Sequence, residues 1–226
     1  MAENVFLFWP NIIGYGRIVL AIISFFCMPK CYVSASVCYI VSALLDAADG
    51  HVARWRNESS RFGAMLDMLT DRCATLCLVM ILGQFYPSWM VAFQLSAAID
   101  VASHWLHMHS HDLKGSKSHK SVETTTNPIL VLYYTSRQFL FFMCAGNEGF
   151  YCMLYLLHFT YGPIIPLIRV GLWQVMAVLC FPIAAVKTAI SVVHLVTAAQ
   201  TIADVDVRER AAASGKAKTS TPTHTD

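Results

Sequence analysis

Charge is scarce in this sequence. Only 13% of its 226 residues are Asp, Glu, Lys or Arg, while 56% are hydrophobic. A soluble domain usually carries about a quarter charged residues, so the composition points away from an ordinary soluble domain and towards a bilayer. Other features are missing too. None of the eight cysteines forms a CxxC pair, which argues against a zinc site or a disulfide framework; most lie in apolar runs, where Cys packs as a small hydrophobe. The opening "MAENVFLFWP" lacks the basic start and small-residue cleavage site of a secretory signal, and reads as an interfacial stretch carrying Phe6, Phe8 and Trp9. No internal repeat and no separate soluble domain is visible. The formal net charge is only +2, and no nucleic-acid partner is expected.

Long apolar runs are what the sequence has in abundance. A membrane-spanning helix needs about 20 residues, and six runs qualify: 11–28, 32–53, 62–85, 89–108, 138–159 and 171–198. The expected fold is an all-α integral membrane domain of six transmembrane helices over 1–205. The polar, Thr- and Ser-rich tail 206–226 is expected to be disordered. With six spans both termini share a side. That side holds Arg54, Arg56, Arg61, Lys114, Lys117, Lys120 and Arg137, with Arg208, Arg210, Lys216 and Lys218 in the tail; the other holds Lys30 and Arg169. The excess of positive charge places both termini in the cytosol. The acceptor-like triplet Asn57-Glu58-Ser59 then lies on the cytosolic side and is expected to carry no glycan.

Against this background Asp46, Asp49, Asp67 and Asp71 stand out. Charged residues in a span are costly and usually functional. Asp46, Asp49, Gly50 and Ala53 share one helix face, and Gly63, Asp67 and Asp71 step by four along the next. The short link between the two helices makes them antiparallel neighbours, so the marked faces can meet near one end. Four converging carboxylates repel one another in a low dielectric. Two hard divalent ions, Mg²⁺ or Mn²⁺, answer that repulsion with oxygen ligands alone and can clamp phosphate oxygens. Gly50, Ala53 and Gly63 would let a bulky group approach the backbone, and Arg54 offers a forked donor to phosphate. Solvated pairing at the interface explains one Asp–Arg contact better than four Asp at these spacings. An ion or metal transporter would need carboxylates near mid-membrane on several spans.

The pattern Asp46-x-x-Asp49-Gly50-x-x-Ala53-Arg54, eight residues, then Gly63-x-x-x-Asp67-x-x-x-Asp71 resembles the whole signature of the CDP-alcohol phosphotransferases. All eight fixed positions and every gap agree. Upstream, "WPNIIGYGRIVL" looks like the family's first helix, which maps Pro10, Asn11 and Arg17 near the cytidine end of the site. "SHWLHMHS", "NPILVLYYTSR", "CAGNEGFYCMLYLLHF" and "ISVVHLVTAA" look like the eukaryotic branch that uses inositol as acceptor. One departure is Val131, where a basic residue is expected in that branch.

The resemblance implies the six-helix fold of the family, a homodimer in the endoplasmic reticulum membrane, and phosphatidyl transfer from CDP-diacylglycerol to myo-inositol with release of CMP. Glycerol phosphate, choline and ethanolamine are the alternative acceptors. It also implies two divalent ions held by Asp46, Asp49, Asp67 and in part Asp71, with Asp71 as general base. Asn11, Asp49, Gly50, Ala53, Arg54 and Gly63 would bind the CDP-linked donor, whose acyl chains stay in lipid. Arg137 and Lys117, with Asn127, Tyr133 and Tyr134, are the candidates for holding inositol. Elsewhere, Asp100 and His104 are expected to pair along one helix, Asn147 and Glu148 to bond across helices or at the dimer seam, and Lys187 and His194 to pack or snorkel.

Overall fold

A computed structural model describes residues 4–117, 136–166 and 169–219. A single 3-10 turn, Val5–Leu7, leads into α1 (Trp9–Cys27), α2 (Tyr32–Arg56) and α3 (Arg61–Phe85). A second such turn, Pro87–Trp89, precedes α4 (Met90–Lys117); α5 (Arg137–Phe159) and α6 (Leu172–Thr219) follow. Between α5 and α6 lies a two-residue antiparallel ladder, β1 (Ile164–Ile165) with β2 (Val170–Gly171), in which Ile164 pairs with Gly171 and Ile165 with Val170. The six helices coincide with the six apolar runs to within a few residues, apart from longer C-terminal ends on α4 and α6.

Among the described residues, four stretches are long and apolar enough to cross a membrane: Trp9–Cys27, Tyr32–Arg56, Gln138–Phe159 and Leu172–Ala211. α3 and α4 have the length, at 25 and 28 residues, but carry more polar cargo, including Asp67, Asp71 and Arg72 in α3 and Asp100 and His104 in α4. The polarity of the helices is inverted relative to a soluble protein. Phe26, Leu44, Met80 and Val178 face outward, Phe26 at 79% exposure, while Asn11, Arg17, Ser24, Ser42 and Thr75 are buried. In water that arrangement would expose apolar area at about 25 cal/mol per Å². In lipid it buries the groups that need partners.

Local chemistry fixes the ends that matter for the site. Pro10 stands in the first turn of α1, where its missing N–H costs nothing. α2 ends at Asn57, in the left-handed conformation at φ 57°, which Asn tolerates better than most residues. Ser60 caps α3 by accepting from the Gly63 amide at 3.0 Å. The connection also clasps α1: the Trp9 amide donates to Glu58 Oε2 at 2.8 Å, and Arg56 Nε donates to Glu58 Oε1 at 2.8 Å. That Arg56 bond, helped by the Trp9 amide, holds the Glu58 carboxyl below its usual range.

The described chain divides into two compact units, and the division falls within α4, α5 and α6. The first comprises Met1–Ala97 and Phe142–Ala185. Its core is built from Met28, Ala35, Tyr39, Leu78, Val79, Leu82, Phe93, Tyr151 and Tyr155. α1 packs on both α2 and α3. Hydroxyls knit the helices inside the apolar interior: Ser24 Oγ donates to the Ala35 carbonyl at 2.8 Å, Ser42 Oγ to the Arg17 carbonyl at 3.2 Å, and Tyr155 to the Met28 carbonyl at 2.9 Å. Such bonds across helices add stability where apolar burial discriminates little.

The second unit comprises Ala98–Phe141 and Val186–Asp226. At its centre Lys187 Nζ sits 3.1 Å from Asp100 Oδ1 and is only 4% exposed. His104 Nδ1 lies 3.5 Å from the same carboxylate oxygen and 2.7 Å from the Asp100 carbonyl. The Asp100–His104 proximity expected within α4 is present. Lys187, expected to pack or snorkel, is buried and pairs with Asp100. Neutralising the largely buried Asp100 carboxylate outweighs extending the ammonium to water, because an unpaired buried charge is strongly unfavourable. His194 packs its ring 5.5 Å from that of His107.

α6 spans 48 residues, about 70 Å at 1.5 Å rise per residue. The hydrocarbon layer is about 30 Å thick, so α6 continues well beyond any crossing. Its helix runs through 206–219, where disorder was expected. That segment, "DVRERAAASGKAKT", is rich in Ala, Arg and Lys, whose helix propensity extends a helix already nucleated in the span. Residues 220–226 lie outside the described ones.

Candidate active site

α2 and α3 bring the four signature aspartates together, as their spacing predicts. Asp46, Asp49 and Asp67 each present a carboxylate oxygen, and those atoms lie within 4.8 Å of one another. Asp71 reaches the same centre from one turn further along α3. Asp46, Asp67 and Asp71 are 38–47% exposed at their side chains, whereas Asp49 is 11% exposed. The cluster is therefore open on one side and closed beneath Asp49.

Its floor is Arg17. The guanidinium is 2% exposed and contacts all four carboxylates: Nη2 to Asp46 Oδ1 at 2.7 Å and Asp71 Oδ1 at 2.5 Å, Nη1 to Asp49 Oδ2 at 2.8 Å and Asp67 Oδ1 at 2.7 Å. The sequence places Arg17 near the cytidine end by resemblance and offers Arg54 as a donor to phosphate; the side chain that meets the four carboxylates is Arg17. Arg54 is exposed and pairs with none of the four aspartates among the described residues; its Nη1 lies 3.6 Å from where a Cβ on Gly50 would stand. The physical reason is depth. Arg17 lies two helical turns into α1, which packs on both α2 and α3, so a planar fork can bridge both helices. Arg54 belongs to the last turn of α2 and points outward. The signal for Arg17 was present in the sequence: it is the only Lys or Arg among residues 1–29.

One guanidinium offsets one of four negative charges. The remaining excess, borne by half-exposed oxygens, suits hard cations. Arg17 Nε is buried without a hydrogen-bond partner, a deficit of about 1–3 kcal/mol that the four ionic contacts of the same side chain outweigh.

The other expected donor-binding residues frame this cluster. Gly50 and Ala53 are half-buried on the carboxylate face of α2. A Cβ at Gly50 would meet nothing closer than Arg54, so that side is roomy. Gly63 differs. A Cβ there would stand 2.7 Å from Asn11 Oδ1 and 3.1 Å from Ser60 Oγ. The space expected to admit a nucleotide is taken by the Asn11 amide, which also donates from Nδ2 to the Val5 carbonyl at 2.6 Å. Asn11 and Gly63 thus lock α1 onto α3 at the rim. Gly63→Ala should lower stability by about 1–3 kcal/mol through overpacking, read as a drop in melting temperature in detergent. An unchanged melting temperature would show that Asn11 can move aside freely.

The expected inositol residues are less visible. Lys117 closes α4 and Arg137 opens α5, but their side chains lie outside the described ones, as do Asn127, Val131, Tyr133 and Tyr134. Of the two expectations for Glu148, bonding across helices or at the dimer seam, the first is met: it accepts from Tyr39 of α2 and, at 3.0 Å, from Thr75 Oγ1 of α3.

Comparison with known proteins agrees with this geometry. The family model for CDP-alcohol phosphatidyltransferase matches residues 7–161, which hold all four aspartates and Arg17. The chain is 56% identical to the CDP-diacylglycerol–inositol 3-phosphatidyltransferase of Homo sapiens over 212 residues, covering 92% of this chain and 97% of that protein. It is 53% identical to the enzyme so named from Drosophila melanogaster (92% and 90% covered) and 42% identical to that from Schizosaccharomyces pombe (93% and 94% covered). No solved structure matches. The family depends on divalent metal, and three converging carboxylate oxygens suit such an ion. A gapped signature with every fixed residue in place, folded into one carboxylate cluster and matched over more than half the chain, settles the assignment: the chain belongs to the CDP-alcohol phosphatidyltransferase family.

Proposed function

We propose that this protein makes phosphatidylinositol, transferring the phosphatidyl group of CDP-diacylglycerol to myo-inositol and releasing CMP. The observation that carries this reading is the likeness to inositol-using enzymes over nearly the whole length of both chains, joined to a carboxylate cluster able to serve the donor chemistry. The donor's acyl chains remain among the outward-facing apolar residues, and its pyrophosphate comes to the open side of the cluster. Asp46, Asp49 and Asp67 would hold the divalent ions, Mg²⁺ or Mn²⁺, with Asp71 at their edge. When bound, the ions withdraw charge from the phosphates and from the departing CMP.

The remaining steps belong to the chain's own residues. Asp71 takes the proton of the inositol hydroxyl as its oxygen attacks the lipid-side phosphorus. The bond from that phosphorus to the CMP oxygen breaks, and CMP leaves with the electron pair. A positioned carboxylate contributes about 10²–10⁴-fold to such a step; holding both substrates in line supplies much of the rest. Arg17 keeps the four carboxylates from splaying apart. Arg54, free of the aspartates, is available to the donor's phosphates. Arg137 and Lys117 are the candidates for the inositol side.

Six crossings, cytosolic termini, residence in the endoplasmic reticulum membrane and a homodimer complete the proposal. The test is purified protein in CDP-diacylglycerol vesicles, offered inositol, glycerol phosphate, choline and ethanolamine in turn. CMP release with inositol alone supports the assignment. Release with another alcohol but not inositol overturns the acceptor. Metal flux into sealed vesicles without CMP release would favour a transporter.

A further inference from the structure

Glu148 is a carboxylate within a helix that is otherwise apolar enough to cross a membrane, and no step of the reaction needs it at the reacting atoms. Its two oxygens accept from two different helices. Tyr39 lies seven residues before Asp46 on α2, hence on the same helix face. Thr75 lies four residues after Asp71 on α3, again on the ligand face. Thr75 Oγ1 is also 3.1 Å from the Asp71 carbonyl oxygen, so a hydroxyl is shared between Glu148 and the backbone of the candidate base. Tyr39 and Thr75 are both buried. Behind Glu148, α5 is seated closely on α6: a Cβ at Gly146 would stand 2.5 Å from Ile183 Cγ2, and one at Gly149 3.3 Å from Cys180 Sγ. The carboxylate is thus held from behind and tied in front to both ligand-bearing faces.

We propose that Glu148 is a positioning residue for phosphatidyl transfer. It fixes the register of α2 against α3 one to two turns below the aspartates, and so the separation of Asp46 and Asp49 from Asp67 and Asp71. This rests on the proposed function for the reaction, but not for its first readout, which is metal binding. Groups that orient metal ligands typically change metal affinity about 10–100-fold when removed.

The experiment compares Glu148→Ala, Glu148→Gln, Tyr39→Phe and Thr75→Val with the unaltered full-length protein in detergent. Mn²⁺ binding is followed by electron paramagnetic resonance, CMP release against Mn²⁺ concentration, and folding by circular dichroism. Glu148→Ala should weaken Mn²⁺ binding about tenfold or more and raise the Mn²⁺ needed for half-maximal rate in parallel. Glu148→Gln should recover most of both, since an amide can accept from Tyr39 and donate to the Thr75 oxygen while Thr75 donates to the Asp71 carbonyl. Tyr39→Phe and Thr75→Val should each give a smaller shift, and they keep the test open should Glu148→Ala misfold. Unchanged Mn²⁺ binding in folded Glu148→Ala overturns the proposal, as does Glu148→Gln as defective as Glu148→Ala. If the unaltered protein binds Mn²⁺ but no alcohol yields CMP, the functional reading fails while the Mn²⁺ measurements still decide the role of Glu148.

Discussion

Asp71→Asn is expected to lower CMP release by at least about 10²-fold while leaving the fold intact. The substitution is nearly isosteric. Asp71 meets Arg17 through Oδ1 at 2.5 Å, and an amide oxygen can accept from the same Nη2. What the amide cannot do is take a proton from an attacking hydroxyl. Purified variant and parent should therefore melt within a few degrees of each other, with turnover nearly absent from the variant. Asp46→Asn gives a useful contrast. Asp46 is one of three carboxylates whose oxygens converge closely enough to hold a metal ion, so its variant should need more Mg²⁺ or Mn²⁺ and recover part of its rate when more is supplied. Asp71→Asn should not recover. Near-normal turnover in Asp71→Asn would remove Asp71 as the base.

Arg17→Ala is expected to damage stability more than any other single change near the site. It would leave four carboxylates facing one another with no cation beneath them. Removing one partner of a buried ion pair costs about 3–5 kcal/mol. Three of the four carboxylates are well exposed, so the lower end of that range applies. The loss should be largest in EDTA and should shrink when Mg²⁺ or Mn²⁺ is added, because a divalent ion can neutralise what Arg17 no longer does. Arg17→Lys should fall between: an ammonium keeps the charge but lacks the planar fork that spans Asp46 and Asp49 on one helix and Asp67 and Asp71 on the other. Equal melting temperatures for Arg17→Ala and the parent in EDTA would show that the four contacts contribute little.

How much of this was legible in the sequence depends on the kind of contact. Asp46 with Asp49, and Asp67 with Asp71, are related by helix periodicity, so their shared faces could be read directly. The short link from Asn57 to Ser60 made α2 and α3 neighbours, and the aspartate cluster followed. Arg17 was harder. Its partners lie 29 to 54 residues away, and only the packing of α1 against both α2 and α3 brings it beneath them. Asp100 and Lys187 show the same difficulty. Each stands alone within the apolar run of its helix, and 87 residues separate them, so periodicity suggested His104 as the partner and missed Lys187. Gly63 was recognised as a place needing no side chain, but what fills the space is Asn11 of another helix. The helical course of 206–219 was missed because the polar composition of the whole tail masked a run of good helix formers at its start.

The measurement that bears most directly on the central claim is incorporation of radiolabelled myo-inositol into lipid by the purified full-length protein in vesicles containing CDP-diacylglycerol. The expected result is labelled phosphatidylinositol formed in equal amount with CMP, dependent on Mg²⁺ or Mn²⁺ and abolished by EDTA. Contradiction would be CMP release without labelled lipid, or no CMP release from well-folded protein at saturating inositol and metal.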